Sequence, residues 1–216
     1  MPKLFNFKPY LKNKRFLLLA GLSLAFLAAS LVVNLYAGQY ADSRESNAVT
    51  DLILSNIRVY DVDIIFVYGI LALIFLILFL SLAKLNCLPF IASSIALFVL
   101  IRSGFIILTH IAPFPTHVIV DPTGLFSGLF NKFSFTSDLF FSGHTGLPYL
   151  MALVFWQDKF WRYFFIALAA FFGVVVLMGH LHYSIDVLAA FFITYSIYHL
   201  AVTFFQPQKK LFDQGL

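Results

Sequence analysis

The chain has 216 residues, of which 61% are hydrophobic, 19% aromatic and 11% charged. Soluble proteins carry about 25% charged residues, so the polar residues here are too few to cover a water-soluble globule. The basic residues behind the net charge of +4 lie between apolar runs rather than in a basic patch, which argues against nucleic-acid binding. The single cysteine, Cys87, excludes an intramolecular disulfide. We therefore expect one all-α membrane domain that covers residues 1–216.

The apolar runs predict six transmembrane helices, since a helix needs about 20 apolar residues to cross a bilayer. In chain order they are expected at residues 16–36, 64–83, 88–111, 139–156, 160–178 and 183–205. The fourth is the least regular, because its apolar run is short and must extend back through a polar segment. The first run is too long for a signal peptide and lacks a small-residue cleavage site, so it is interpreted as a membrane anchor.

Lysine and arginine predict the orientation, because basic residues accumulate in cytoplasmic segments. With the N-terminus inside, ten of the 14 basic residues fall in inner segments, whereas the outer segments hold only Arg44, Arg58 and Lys132. Both termini are therefore predicted to be cytoplasmic, in a plasma membrane or a bacterial inner membrane. This orientation brings the polar residues of three helices to the extracytoplasmic face.

The first polar motif covers residues 138–145 and reads Asp-Leu-Phe-Phe-Ser-Gly-His-Thr. A proline follows closely, and proline is tolerated in the first turn of a helix, so a regular helix is expected to start near the end of the motif. Backbone amides at a helix start favour an anion, and the small Ser142 and Gly143 would let a phosphate approach them. The remaining helix of about 18 Å is shorter than the bilayer core of about 30 Å, which predicts that His144 lies in a recess. The alternative is a re-entrant kink with a capping serine.

The second motif runs from His180 to Asp186 and reads His-Leu-His-Tyr-Ser-Ile-Asp. If the sixth helix begins near His182, then His182 and Asp186 form an i,i+4 pair on one face. A carboxylate there can accept the imidazole N–H, fix the tautomer and leave the other ring nitrogen as a nucleophile or base. The alternative is an interfacial bond that only ties a loop, but ionisable groups within membrane segments are costly and usually functional.

Arg102 interrupts the third predicted helix, about two turns from its outer end. A buried guanidinium is costly unless it is paired. Arg102 is therefore expected either to hold a phosphate with its planar fork or to form a structural salt bridge, for instance with Asp138. His110, His117 and His199 are weaker candidates, and His199 is expected to be a packed or interfacial histidine.

Residues 102–205 resemble the sphingomyelin synthase-related branch of the type 2 phosphatidic acid phosphatase (PAP2) superfamily. The resemblance rests on the Ser-Gly-His-Thr motif and on the later His-Tyr-Ser-Ile-Asp-Val motif, and the six-helix topology agrees with it. A weaker similarity surrounds Asp51, where the prolines of the family's first motif are missing. Two further departures are Thr136-Ser137, in place of the family's Cys-Gly, and Val176, where the second arginine motif of the phosphatases would fall.

The resemblance implies a PAP2-like helical bundle with a phosphotransfer site that uses no cofactor and no metal. His182 would attack phosphorus and form a phosphohistidine-like intermediate, Asp186 would orient His182, and His144 would protonate the leaving alcohol. The residues expected to bind the phosphate or headgroup are Arg102, Asp138, Ser142, Gly143 and His180. Because one arginine suits one negative charge, a phosphodiester substrate is expected.

The leading hypothesis is a lipid phosphotransferase that moves a phosphocholine- or phosphoethanolamine-type headgroup between membrane lipids, which are the predicted partners. A lipid phosphatase or phospholipase C-like hydrolase, with water as acceptor, is the alternative at the same site. Two other classes stay open. One is a zinc-dependent membrane hydrolase with His144, His180, His182 and an aspartate as ligands, and the other is a transporter that relays protons through the polar cluster. No oligomeric state is predicted.

Overall fold

The computed structural model describes residues 7–119, 135 and 138–215, and these residues form helices and no strand. The helices are α1 (Lys8–Lys12), α2 (Lys14–Ser43), α3 (Asp63–Ala83), α4 (Leu88–Leu108), α5 (Gly143–Val154), α6 (Lys159–Met178), α7 (Ser184–Phe204) and α8 (Gln206–Gln214). A short 3-10 turn, Leu85–Cys87, precedes α4. The predicted all-α class is confirmed for this part of the chain. The predictions that concern Lys132, Thr136 and Ser137 lie outside the described residues.

Five helical segments are long and apolar enough to cross a membrane. They are Lys14–Ser43, Asp63–Ala83, Leu85–Leu108, Lys159–Met178 and Ser184–Phe204. They coincide with the first, second, third, fifth and sixth predicted helices, which fits a multi-pass membrane protein. A sixth crossing and the cytoplasmic position of both termini stay predictions.

The fourth helix differs from the predicted range 139–156. The helix observed there, α5, has 12 residues and a length of about 18 Å. It begins at Gly143 because the Ser142 hydroxyl caps it, accepting the N–H of Thr145 at 3.4 Å. Before Ser142, carbonyl groups bond to the guanidinium of Arg102 instead of continuing the helix. The length predicted from the apolar run is too long because hydrophobicity alone does not reveal these polar contacts.

Two other boundaries also differ from the prediction. α2 continues to Ser43, beyond the predicted end at residue 36, and its last turns bury small residues such as Ala37 and Ala41. α4 ends at Leu108 rather than at residue 111, because Thr109 is extended and its hydroxyl bonds back to the carbonyl of Phe105 at 2.8 Å.

α2 and α4 pack side by side through small and polar residues, as is common between helices in membranes. The hydroxyl of Ser93 donates to the Ser23 oxygen at 2.9 Å, and the hydroxyl of Ser103 donates to Asn34 Oδ1 at 3.2 Å. The residue numbers rise together in the two pairs, so the two helices run parallel. Their C-terminal ends therefore lie at the same end of the bundle.

α5 occupies the interior of the bundle and packs most closely against α6 and α7. Its residues Leu150, Met151 and Ala152 have no exposed surface. A Cβ atom added to Gly146 would lie 2.8 Å from the Phe98 ring of α4 and 2.9 Å from Thr194 Oγ1 of α7. Glycine is thus required at position 146 for α5 to fit between α4 and α7.

The end of the bundle where α4 ends and α5 and α7 begin is called the site end below. Two connecting segments, residues 44–62 and 109–119, cross this end. Backbone hydrogen bonds tie them to each other and to the end of α6, from Ser46 to His110, from Tyr60 to Met178 and from Val118 to Gly179. The site end is therefore covered by chain that is bonded to the helices beneath it.

Candidate active site

The two predicted motifs meet at the site end of the bundle. The backbone N–H of Ser142, just before α5, donates to the carbonyl of Asp186, in the first turn of α7, at 3.2 Å. Both residues are buried. This bond holds the Ser-Gly-His turn beside the helix start that carries the second motif.

His182 and Asp186 form a close pair, as the i,i+4 spacing predicted. His182 Nδ1 lies 3.6 Å from Asp186 Oδ2, which is longer than a hydrogen bond, and both side chains are almost fully buried. The same carboxylate oxygen accepts the backbone N–H of Tyr183 at 2.9 Å. This bond keeps the carboxylate at the N-terminus of α7, where the helix dipole favours negative charge. Because Nδ1 faces the carboxylate, Nε2 lies on the opposite side of the imidazole ring.

His144 lies in the first turn of α5, against an aromatic residue of α3. Its ring stacks on the Phe66 ring with centroids 3.9 Å apart, and its Nε2 lies 3.2 Å from the Phe66 carbonyl oxygen. A carbonyl oxygen can only accept, so Nε2 carries the proton in this contact. His144 follows Ser142 by two residues, and the bond from Ser142 to Asp186 places both histidine motifs at the site end.

Arg102, near the end of α4, forms the salt bridge to Asp138 that the sequence left as one alternative. Its Nη1 lies 2.8 and 2.7 Å from the two carboxylate oxygens. Nη2 donates to the Asp138 carbonyl at 3.1 Å, and Nε donates to the Phe141 carbonyl at 2.8 Å. A Cβ atom on Gly143 would lie 3.4 Å from Nε. The guanidinium therefore stabilises the segment before α5 through these bonds and lies directly against the Ser-Gly-His turn.

His180 lies in the turn between α6 and α7 and has a left-handed backbone with φ 54°. Its N–H bonds to the Leu177 carbonyl at 3.1 Å, and the N–H of Leu181 bonds to the Val176 carbonyl at 2.9 Å. These are the paired bonds of a Schellman motif, in which glycine is the usual residue at this position. His180 Nδ1 lies 2.6 Å from the Thr116 hydroxyl. Burial lowers the pKa of His180, against the opposing effects of the Ile57 backbone and the Asp51 charge, so the imidazole is neutral at pH 7.

Asp51 is the buried carboxylate for which the sequence offered only a weak family similarity. Its Oδ1 accepts the N–H groups of Ile53 and Leu54 at 2.8 and 3.0 Å. Its Oδ2 accepts the N–H and the hydroxyl of Ser184, both at 2.7 Å. Burial acts to raise the pKa of Asp51, but these hydrogen bonds outweigh it and hold the pKa below its usual value. Asp51 thus fixes the start of α7 from the 44–62 segment.

Three other contacts complete the site end. Phe66 covers His144, Thr116 binds His180, and the hydroxyl of Tyr183, a residue of the second motif, donates to the carbonyl of Ala112 at 2.8 Å. Phe66 and Thr116 carried no sequence signal, because an isolated phenylalanine or threonine in an apolar chain is too common to single out. Only the tertiary structure reveals these contacts.

The weaker histidine candidates have other surroundings. The His110 ring packs on Tyr40 of α2 with centroids 5.6 Å apart, and His117 Nδ1 donates to the carbonyl of Phe114, in its own turn, at 2.8 Å. His199 is exposed and packs on Tyr195. Among residues 7–119, 135 and 138–215, no group of three or more His, Cys, Asp or Glu side chains is arranged to hold a metal ion. The histidines of the zinc hypothesis thus form no such group with an aspartate in this part of the chain.

The PAP2 superfamily C-terminal family model matches residues 136–203, which include both histidine motifs. No curated protein and no solved structure matches the chain. This superfamily contains phosphatases and phosphotransferases, so the match indicates phosphatase-type chemistry without separating hydrolysis from transfer. Residues 136–203 therefore match the C-terminal domain of the PAP2 superfamily, which confirms the PAP2-like resemblance predicted from the two motifs, whereas the sphingomyelin synthase-related branch stays a prediction.

Proposed function

We propose that this protein is a membrane-embedded lipid phosphotransferase that moves a phosphocholine- or phosphoethanolamine-type headgroup from one lipid to the hydroxyl of another. The observation that carries the proposal is the 3.2 Å hydrogen bond from Ser142 to Asp186. It sets the start of α5, where backbone N–H groups lack helical partners and favour an anion, beside the His182–Asp186 pair. A nucleophile and an anion-binding turn at one level of the bundle suit a phosphoryl group.

In the first step, His182 Nε2 forms a bond to phosphorus, and the bond from phosphorus to the oxygen of the donor lipid breaks. His144, in its imidazolium form, gives its Nε2 proton to that oxygen and becomes neutral, which releases diacylglycerol and leaves the headgroup on a phosphohistidine. Asp186 orients His182 and stabilises the positive charge that develops on its ring.

In the second step, the hydroxyl of the acceptor lipid attacks the same phosphorus, and the phosphorus–nitrogen bond breaks. His144, which lost its proton in the first step, takes the proton of the attacking hydroxyl, so that both histidines return to their initial states. The products are the acceptor lipid with its new headgroup and the free enzyme.

The charge balance around the turn supports a phosphodiester substrate. Arg102 lies against Gly143, but its charge is largely offset by Asp138 at 2.7 Å. A phosphodiester brings one negative charge, whereas a phosphomonoester brings close to two at pH 7. A single, partly neutralised guanidinium suits the smaller charge.

The surroundings of His144 support a lipid as the donor. For His144 to protonate the leaving oxygen through Nε2, that oxygen has to replace the carbonyl of Phe66 on α3. The same end of α3 exposes Ile64, Ile65 and Tyr68, which suits contact with lipid. A lipid that enters between α3 and α5 reaches His144 from the bilayer. In the predicted orientation, this reaction takes place at the extracytoplasmic face of the plasma membrane or bacterial inner membrane.

The second candidate function is hydrolysis, which the family match favours because the superfamily includes phosphatases. Water would attack the same phosphohistidine and release a soluble phospho-headgroup or phosphate. The site residues and their roles would be the same in both reactions.

The test uses purified protein in lipid bilayers with labelled phosphatidylcholine, phosphatidylethanolamine or phosphatidate, each with and without added ceramide or diacylglycerol. Transfer predicts that the labelled headgroup appears on the added lipid alcohol and that its release into water is minor. Release that is independent of the acceptor would establish the hydrolase instead. Turnover of phosphatidate that exceeds that of both zwitterionic lipids by about tenfold would refute the diester preference.

A further inference from the structure

A cavity of about 200 Å³ lies between the beginning of α2 and the C-terminal helix α8. It is at the end of the bundle opposite to the site end, because α2 runs parallel to α4 and α8 follows the C-terminus of α7. We propose that this cavity binds the phosphate-bearing headgroup of an anionic phospholipid. The residues that carry the argument are Arg15, Phe16 and Leu19 of α2 and Lys210, Leu211 and Gln214 of α8.

The charge of the cavity favours an anion. Arg15 and Lys210 come from opposite ends of the chain and line the same space, and no lining residue is acidic. Asp213 on α8 is paired with Lys209, one turn away from it on the same helix. Basic pockets of this kind at the membrane surface bind anionic lipid headgroups.

The apolar surface next to the cavity favours a lipid over a soluble phosphate. Phe16 is buried and packs near Leu211, so the cavity has an apolar floor below its two cations. Arg15, Leu18 and Leu22 follow one another at helical spacing on the same side of α2. Leu18 and Leu22 are 61% and 57% exposed. A headgroup beside Arg15 would therefore have an apolar strip of α2 next to it, along which acyl chains can lie.

The walls of the cavity are held in place by contacts within the protein. The Phe212 ring of α8 packs on Phe90 of α4 with centroids 5.7 Å apart. The side-chain amide of Asn86 donates to the Phe212 carbonyl at 2.9 Å. Since α8 is fixed before a ligand arrives, little ordering is needed on binding. In the predicted orientation, the cavity faces the cytoplasmic leaflet, whose anionic lipids attract basic segments.

The test counts the lipids that stay bound to the full-length protein in native mass spectrometry, after mixing with phosphatidylglycerol or phosphatidylcholine in detergent. Arg15→Gln/Lys210→Gln is compared with Lys84→Gln/Lys159→Gln, which removes two exposed charges from the same end of the bundle. We expect the first variant to bind phosphatidylglycerol at least about tenfold more weakly, and the control to bind it like the wild type. Phosphatidylcholine should bind weakly to all three proteins.

If the two double variants lose phosphatidylglycerol binding equally, the lipid is attracted by the overall charge of this end and the site is overturned. The site is also overturned if neither variant loses binding. Unfolding temperatures without lipid verify that the variants fold, and Lys210→Gln alone serves if the double variant does not. A further arm adds glycerol 3-phosphate. If glycerol 3-phosphate raises the unfolding temperature of the wild type as much as phosphatidylglycerol does, the ligand is a soluble phosphate and the lipid proposal fails. None of these measurements depends on the catalytic activity proposed above.

Discussion

Asp51 and Ser184 are joined by two hydrogen bonds of 2.7 Å, although they are 133 positions apart in the chain. Ser184 donates both its backbone N–H and its hydroxyl to the same oxygen of the Asp51 carboxylate. Ser184 begins α7, two residues after His182 and two residues before Asp186. The 44–62 segment therefore determines where α7 starts, directly after the proposed nucleophile His182.

Replacing Asp51 by asparagine should lower turnover through the position of His182. An amide has one acceptor oxygen, so it cannot accept both the N–H groups of Ile53 and Leu54 and the two hydrogen bonds from Ser184. We expect kcat to fall by about tenfold or more with little change in KM, and the free energy of unfolding to fall by about 1–3 kcal/mol. Steady-state kinetics and denaturant unfolding of the same preparation measure the two effects.

Asp61→Asn is the matched control for Asp51→Asn, because it makes the same charge change in the same segment. Asp61 is exposed and accepts the N–H of Asp63 at the start of α3, far along the chain from α7. Equal kinetics in the two variants would contradict the positioning role of Asp51.

The stabilising effect of Asp51 should depend on pH. The pKa of Asp51 is lowered in the folded protein, so its stabilising effect is complete above its unfolded pKa and is lost as the pH falls through its folded pKa. Asp51→Asn should remove that acid-dependent loss of stability.

His182→Ala should abolish turnover while leaving the fold intact. Its Nδ1 faces the Asp186 carboxylate at 3.6 Å, which suits Nε2 as the nucleophile. Loss of a nucleophile costs more than the factor of about 10²–10⁴ that a general acid contributes. His199→Ala, at an exposed position of α7, the helix that follows His182, should retain wild-type activity. More than about 1% residual turnover in folded His182→Ala would exclude the covalent mechanism.

The helices and the His182–Asp186 pair could be predicted because their signals are local. An apolar run of spanning length and an i,i+4 spacing both depend on neighbouring residues. The extent of the fourth helix could not be predicted from apolar residues, since its start depends on Ser142 as a cap and on Arg102 binding the carbonyl of Phe141.

The contacts that complete the candidate site join segments far apart in the chain. Asp51 meets Ser184, Phe66 covers His144, and Thr116 meets His180. No periodicity links such pairs, and each depends on how the connecting segments cross the bundle. Arg102 is an intermediate case, because the cost of a buried guanidinium predicted a partner but allowed either a ligand phosphate or Asp138.

Arg102 and Asp138 should behave as a coupled pair in a double-mutant cycle. Arg102→Lys keeps the charge but loses the fork that reaches two carbonyls and a carboxylate, and Asp138→Asn leaves a buried guanidinium without its counter-charge. We expect each change to lower the unfolding free energy, and the double variant to lose about 1–3 kcal/mol less than the sum. Additive losses would show that the salt bridge does not brace the turn. Improved substrate binding in Asp138→Asn would support the proposed role of Arg102 as the cation beside the substrate phosphate.

The membrane orientation predicted from the lysine and arginine residues places the site end away from the cytoplasm. Ile119 is 80% exposed in the segment that crosses this end, so Ile119→Cys in a Cys87→Ala background should react with a membrane-impermeant thiol reagent on intact cells. Lys159→Cys, at the opposite end of α6, should react only after the cells are opened. The reverse pattern would overturn the topology and place the chemistry on the cytoplasmic side.

His180 allows the contribution of a side chain to be separated from that of a strained turn. Its φ of 54° suits glycine, so His180→Gly should relieve about 1 kcal/mol of backbone strain while losing the contact to Thr116, which is worth about as much. His180→Ala loses the same contact and keeps the strain, so it should unfold at a lower temperature than His180→Gly. If the imidazole binds the headgroup, both variants should show the same rise in KM for a zwitterionic lipid, whatever their stability. Wild-type kinetics in His180→Gly would show that His180 contributes only to the turn.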